Sequence, residues 1–151
     1  MLSQPQKTYL EAEVLTASPV RLVEILFELG VSTIESARAC CRKGDILGRG
    51  RFVTKAVEIL TELGNGLDFE AGGELARNYA RLYDYCQRRL LEAHVQQSEP
   101  MLAEVQSLLL ELREAWQGVV ANFAPRCLSD EEVIAEHALA STGEPRFSCL
   151  G

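Results

Sequence analysis

The chain has 151 residues, 47% of them hydrophobic and 25% charged, enough to bury one sizeable core and short for two. Fifteen Lys and Arg against 22 Asp and Glu give a net charge of −7 at pH 7, which argues against nucleic acid or anionic membrane as partners and in favour of proteins or small molecules. No stretch approaches the roughly 20 consecutive apolar residues of a membrane span, and the opening Met1 to Lys7 lacks a signal-peptide core, so a soluble, cytoplasmic protein is expected.

In chain order, the first predicted element is a short helix from Thr8 to Ala17, lying across the rest. Ser18-Pro19 then supplies a capping hydroxyl and a first-turn proline. The helix they start carries Val23, Leu26, Phe27, Gly30, Ile34, Ala37 and Cys41 at spacings of three and four and stops at Gly44. Asp45 caps the next helix, whose stripe is Val53, Ala56, Ile59, Leu60, Leu63 and Leu67, with Gly48 and Gly50 weakening its first turns. The stretch from Asp68 to Gly73 breaks the pattern. Leu75, Tyr79, Leu82, Tyr83, Cys86, Leu90 and Ala93 mark a third helix ending near Gln97.

Ser98, with Pro100 in the first turn, starts a fourth helix whose apolar side runs from Met101 through Val105, Leu109, Leu112 and Trp116 to Val119. Pro125 is expected to end it, because a proline cannot continue the hydrogen-bond ladder. No segment alternates with period two. The reading is all-α: an antiparallel, up-down-up-down four-helix bundle over residues 1–124, with a C-terminal tail at 125–151 that holds at most one short helix from Glu131 to Ala140.

Motifs for catalysis are missing: no HExxH, P-loop, GxGxxG or GxSxG occurs, and neither His94 nor His137 follows a Glu by three residues, which excludes a di-iron carboxylate bundle. His94 and Glu92 lie two apart, on different faces of a helix. Gly72-Gly73 reads as a turn rather than an anion site, and Arg49-Gly50-Arg51 and Arg88-Arg89 as solvated helix faces. Five cysteines, odd in number and without a CxxC, suggest reduced thiols. No catalytic residue, cofactor or metal is expected, and the protein is expected not to be an enzyme.

What stands out is surplus apolar surface. Leu22, Val23, Ile25, Leu26, Phe27, Leu29, Val31 and Ile34 spread over roughly 240° of the first helix, where a core stripe needs ~100°. Tyr85, Leu91 and Val95 on the third helix and Leu110 on the fourth also fall outside their stripes. Together they can floor a groove for an added helix.

Particular strings give this surface a context: Tyr9, Val14, Thr16-Ala17-Ser18-Pro19, Leu26-Phe27-Glu28, Lys43-Gly44-Asp45, Gly72-Gly73-Glu74, Leu82-Tyr83-Asp84-Tyr85, Arg88-Arg89-Leu90, Glu92-Ala93 and Glu114-Ala115-Trp116. In this order and spacing, from Tyr9 to about Gly118, the chain resembles the FliS family of flagellar export chaperones. The resemblance implies a four-helix bundle with an N-terminal lid. It also implies cytoplasmic binding of the disordered C-terminal segment of flagellin, prevention of premature polymerisation, and delivery to the flagellar export gate. An adaptor for another flagellar or regulatory protein is the alternative.

The partner-binding residues nominated by the surplus surface and the resemblance are Tyr9, Leu10, Val14, Leu15, Leu22, Ile25, Leu29, Tyr83, Tyr85, Arg88, Leu91 and His94. Tyr9 matches a position associated with the lid and with the gate. His94 departs from the family, which usually has Asn after Glu-Ala. A monomer or weak dimer is expected, with no nucleic acid bound and no membrane insertion.

Overall fold

A computed structural model describes residues 18–138, and side chains from residue 18 to residue 121. Four helices follow one another: α1 (Pro19–Lys43), α2 (Ile46–Asn65), α3 (Phe69–Gln96) and α4 (Glu99–Ala138). No strand occurs among the described residues.

The helix boundaries follow from local chemistry. Ser18 accepts from Arg21 N and Pro19 opens α1, while Gly44, at φ 73°, closes it by donating to the carbonyls of Cys40 and Cys41. Asp45 accepts from Gly48 N and so caps α2 at once, leaving a two-residue connection that forces α1 and α2 antiparallel. Asp68 caps α3 through bonds from Glu70 N and Ala71 N. The expected break over Asp68–Gly73 is smaller than its composition suggests. One helical turn forms first, and the discontinuity is Gly73 alone, at φ 50° and ψ −126°. At the far end Gln97 takes the left-handed conformation, and Ser98 accepts from Met101 N to start α4.

Each helix packs on two neighbours, α1 on α2 and α4, and α3 on α2 and α4, closing a ring around one core. Phe27, Leu60, Leu90, Leu102, Val105 and Leu109 are sealed in it, and Tyr79, Tyr83 and Phe27 stack in tilted pairs with ring centroids 5.9 and 6.3 Å apart. At Gly30 the backbone of α1 meets Leu109 and Ile59, and a Cβ there would lie 3.2 Å from Leu109 Cδ1. Two polar networks fasten α4. Glu99 accepts from Arg38 and Arg42 of α1, and Glu104 accepts from Tyr85 and Arg89 of α3.

Four expectations need correction, the first being Arg49, which is 2% exposed rather than on a solvated helix face. The wide apolar arc of α1 is not surplus: wedged between α2 and α4, the helix uses it as core, with Ile25, Phe27 and Ile34 buried and Leu22, Leu29 and Val31 half-buried. Leu75 and Leu82 are exposed rather than core. The buried stripe of α3 steps by three and four through Ala76, Tyr79, Tyr83, Cys86, Leu90 and Ala93, and each of these two leucines sits one residue off it, rotated by about 100°. Finally, α4 does not stop at Pro125 but runs to Ala138. One proline removes one hydrogen bond and crowds one carbonyl, at a cost of about 3 kcal/mol. That is a local penalty, which helical residues on both sides outweigh. The helix from Thr8 to Ala17 lies outside the described residues.

Candidate functional site

The apolar surface that the core leaves over gathers along α3 and the first turn of α2. Ile46 (55% exposed), Leu47 (69%), Leu91 (52%) and Val95 (79%) share the end where α2 begins and α3 finishes. Phe69 and Leu75, at the other end of α3, are also about half exposed. Between these ends runs the α2–α3 seam, which differs from the seams of α4 in its bonding. Among the described residues no ion pair crosses it. Its polar contacts are Gln87 Nε2 donating to Thr61 Oγ1 at 2.8 Å and to the Val57 carbonyl at 3.2 Å, and Arg49 donating to His94.

A hollow lies at each end of the seam. One is a cleft of about 310 Å³ walled by Val23, Leu63, Leu67, Leu75, Ala76, Tyr79, Tyr83 and Trp116, with Pro19 and Asp68 on its margin. Burial pushes the Tyr79 hydroxyl above the usual tyrosine range and the Tyr83 hydroxyl well above it, so both stay neutral. Tyr79 Oη donates to the Leu112 carbonyl at 3.4 Å, and the Trp116 indole N–H is enclosed without an acceptor among the described residues. The other hollow, of about 780 Å³, is more open, floored by Val53, Gly50 and His94 and edged by Ile46, Leu47, Leu91, Arg51 and Lys55. Apolar walls with a few polar handles suit the apolar face of an amphipathic helix.

The nominated residues separate on this geometry. Tyr83 and His94 line the two hollows and Leu91 edges one of them. Leu22 and Leu29 are half-buried on α1, and Ile25 is buried, so it offers no surface. Tyr85 is exposed but committed to α4, donating to Glu104 Oε1 at 2.6 Å. Arg88 is exposed and pairs with Asp84 one turn back. Tyr9, Leu10, Val14 and Leu15 lie outside the described residues. Reading the sequence missed Ile46 and Leu47, which follow the Asp45 cap directly. Apolar residues in a first turn, before the stripe at Val53 begins, were the available signal.

No group of acids, histidines and cysteines suited to a metal ion occurs among the described residues, and no helix there is long and apolar enough to cross a membrane. Residues 1–122 match the family model described as flagellar protein FliS. The chain is 38% identical over 118 residues to the flagellar secretion chaperone FliSB of Pseudomonas aeruginosa, covering 78% of this chain and 94% of that one. Over 110 residues it is 40% identical to the flagellar secretion chaperone FliS of Salmonella typhimurium, covering 72% and 82%. With the Bacillus subtilis flagellar secretion chaperone FliS it shares 29% identity over 121 residues, 80% of this chain and 90% of the relative.

Proposed function

The chain belongs to the FliS family of flagellar proteins, and from that membership we propose that it is a cytoplasmic export chaperone for the C-terminal segment of flagellin, which it keeps from polymerising early and delivers to the flagellar export gate. The observation that carries this reading is the α2–α3 seam, with an apolar hollow at each end and exposed Ile46, Leu47, Leu91 and Leu75 beside it. A segment that forms amphipathic helices associates with its own kind when free. Laying its apolar faces into such a seam masks them. Binding is the whole of the mechanism. Tyr83, Leu91 and His94 form the floor and edge, Leu22 and Leu29 add half-buried apolar surface on α1, and Tyr85 and Arg88 act from the rim.

Calorimetry with the C-terminal segment of the source organism's flagellin is expected to give a 1:1 complex. No binding at about 10 μM, equivalent to roughly 7 kcal/mol, rejects the reading. A pull-down that recovers a different flagellar or regulatory protein in place of flagellin supports the adaptor alternative. Tyr9→Ala is expected to weaken flagellin binding or docking at the gate, and a variant unchanged in both removes Tyr9 from the site.

A further inference from the structure

Arg49, in the first turn of α2, is 2% exposed, and its guanidinium pairs with no carboxylate among the described residues. Both of its hydrogen bonds reach one residue of α3: Nε donates to His94 Nδ1 at 3.1 Å, and Nη2 donates to the His94 carbonyl at 3.2 Å. Arginine can only donate, so Nδ1 must present a lone pair, and the imidazole is neutral with its proton on Nε2. The ring lies over Gly50, where a Cβ would approach Cε1 to 3.2 Å, so the absence of a side chain there makes its place. The counter-charge of this buried cation is the carbonyl end of α3, where the helix dipole is negative.

We propose that Arg49 and His94 form a latch at the open end of the seam. With the imidazole neutral, the latch holds the first turn of α2 to the last turn of α3 and joins Ile46 and Leu47 to Leu91 in one apolar surface; a proton on Nδ1 opens it. Protonation would set two N–H donors and two positive charges 3.1 Å apart, and one partner must leave.

Charged and titratable groups face this pair from every neighbouring element. From α2, Arg51, Lys55 and Glu58 line the same hollow, two bases against one acid. Asp45, at the α2 cap, accepts from Gly48 N, and burial first, then Asp45, raises the nearby Cys40 thiol of α1. On α1, Cys41 donates to the Gln97 carbonyl. Within α3, Glu92 pairs with Arg89, and at the start of α4 Glu99 is held by Arg38 and Arg42.

The test compares the full chain with His94→Asn, which carries an acceptor oxygen where histidine carries Nδ1 and does not titrate. Without any partner, lowering pH from 7.5 to 5.5 is expected to reduce the Tm of the unsubstituted protein by at least about 4 °C more than that of His94→Asn. Amide protection, taken relative to the intrinsic exchange rate at each pH, is expected to fall at residues 46–52 and 91–97 in the unsubstituted protein alone. His137 is common to both proteins, so the difference isolates His94. Equal Tm losses, or equal exchange, overturn the latch whatever the partner is.

The link to the groove rests on the flagellin reading and is measured separately. Affinity for the flagellin C-terminal segment is expected to fall about tenfold over the same interval, ~1.4 kcal/mol, in the unsubstituted protein and to hold in His94→Asn. A parallel fall overturns the link. Absent binding at both pH values rejects flagellin as partner, and the partner-free comparison still decides the latch. His94→Gln gives a second non-titrating variant should His94→Asn fold poorly.

Discussion

Leu109 is fully buried against the α1 backbone at Gly30. Leu109→Ala is therefore expected to cost about 2–5 kcal/mol in denaturant unfolding, and a loss below about 1 kcal/mol would mean that the site collapses around the cavity. Trp116 shares the stripe but is only half-buried on the wall of a cleft, so its truncation should cost less than that of Leu109. Burial pushes the Cys86 thiol up to about 11, while Cys41 is half-exposed. Alkylation at pH 8, read site by site by mass spectrometry, should reach Cys86 only as the chain unfolds; labelling of Cys86 as fast as Cys41 contradicts its enclosure. Hydrogen bonds from Tyr85 and then Arg89 hold the Glu104 carboxyl below the usual range. Its stabilising effect is complete at neutral pH and disappears as pH falls through its folded titration. Tyr85→Phe should move that titration upward when followed by NMR.

At the scale of the helix, two positive-φ positions predict opposite outcomes. Gly73, at φ 50° and ψ −126°, has open space where a Cβ would go, so Gly73→Ala meets backbone strain alone and should cost about 1–3 kcal/mol. Gln97, at φ 54° and ψ 41°, already bears strain as a residue with a side chain, and Gln97→Gly should stabilise by roughly 1 kcal/mol in thermal unfolding. The helix starts at Ser18, Asp45 and Ser98 and the stop at Gly44 were legible because capping is local chemistry. The stripes of α2 and α4 were legible from their spacing. The fate of α1's wide apolar arc was not, because one helix does not reveal how many neighbours it will touch. Pro125 misled for the opposite reason: its penalty is local, and the length of α4 is not decided by it. Of the residues around the two hollows, Leu91 and Tyr83 were nominated from their position and family context. Ile46 and Leu47 lay in a first turn too short to show a period.

For the molecule as a whole, the buried apolar residues described in α4 end at Leu112, well before the tail. Ending the chain at residue 124 should therefore leave Tm within about 3 °C, and a larger loss would show that the tail packs on the bundle. A several-fold gain in flagellin affinity on truncation would instead mark the tail as a tethered competitor for the groove.

The unequal bonding of the seams has a kinetic consequence. Every ion pair between helices among the described residues joins α1 or α3 to α4; none reaches α2. A guest helix that lodges by parting α2 from α3 breaks no ion pair on entering and restores none on leaving. Its residence time should therefore be nearly the same at low salt and at about 1 M, where the screening length is only ~3 Å. The long-range field of a chain with net charge −7 acts on the approach, so salt should be felt in the rate of arrival alone.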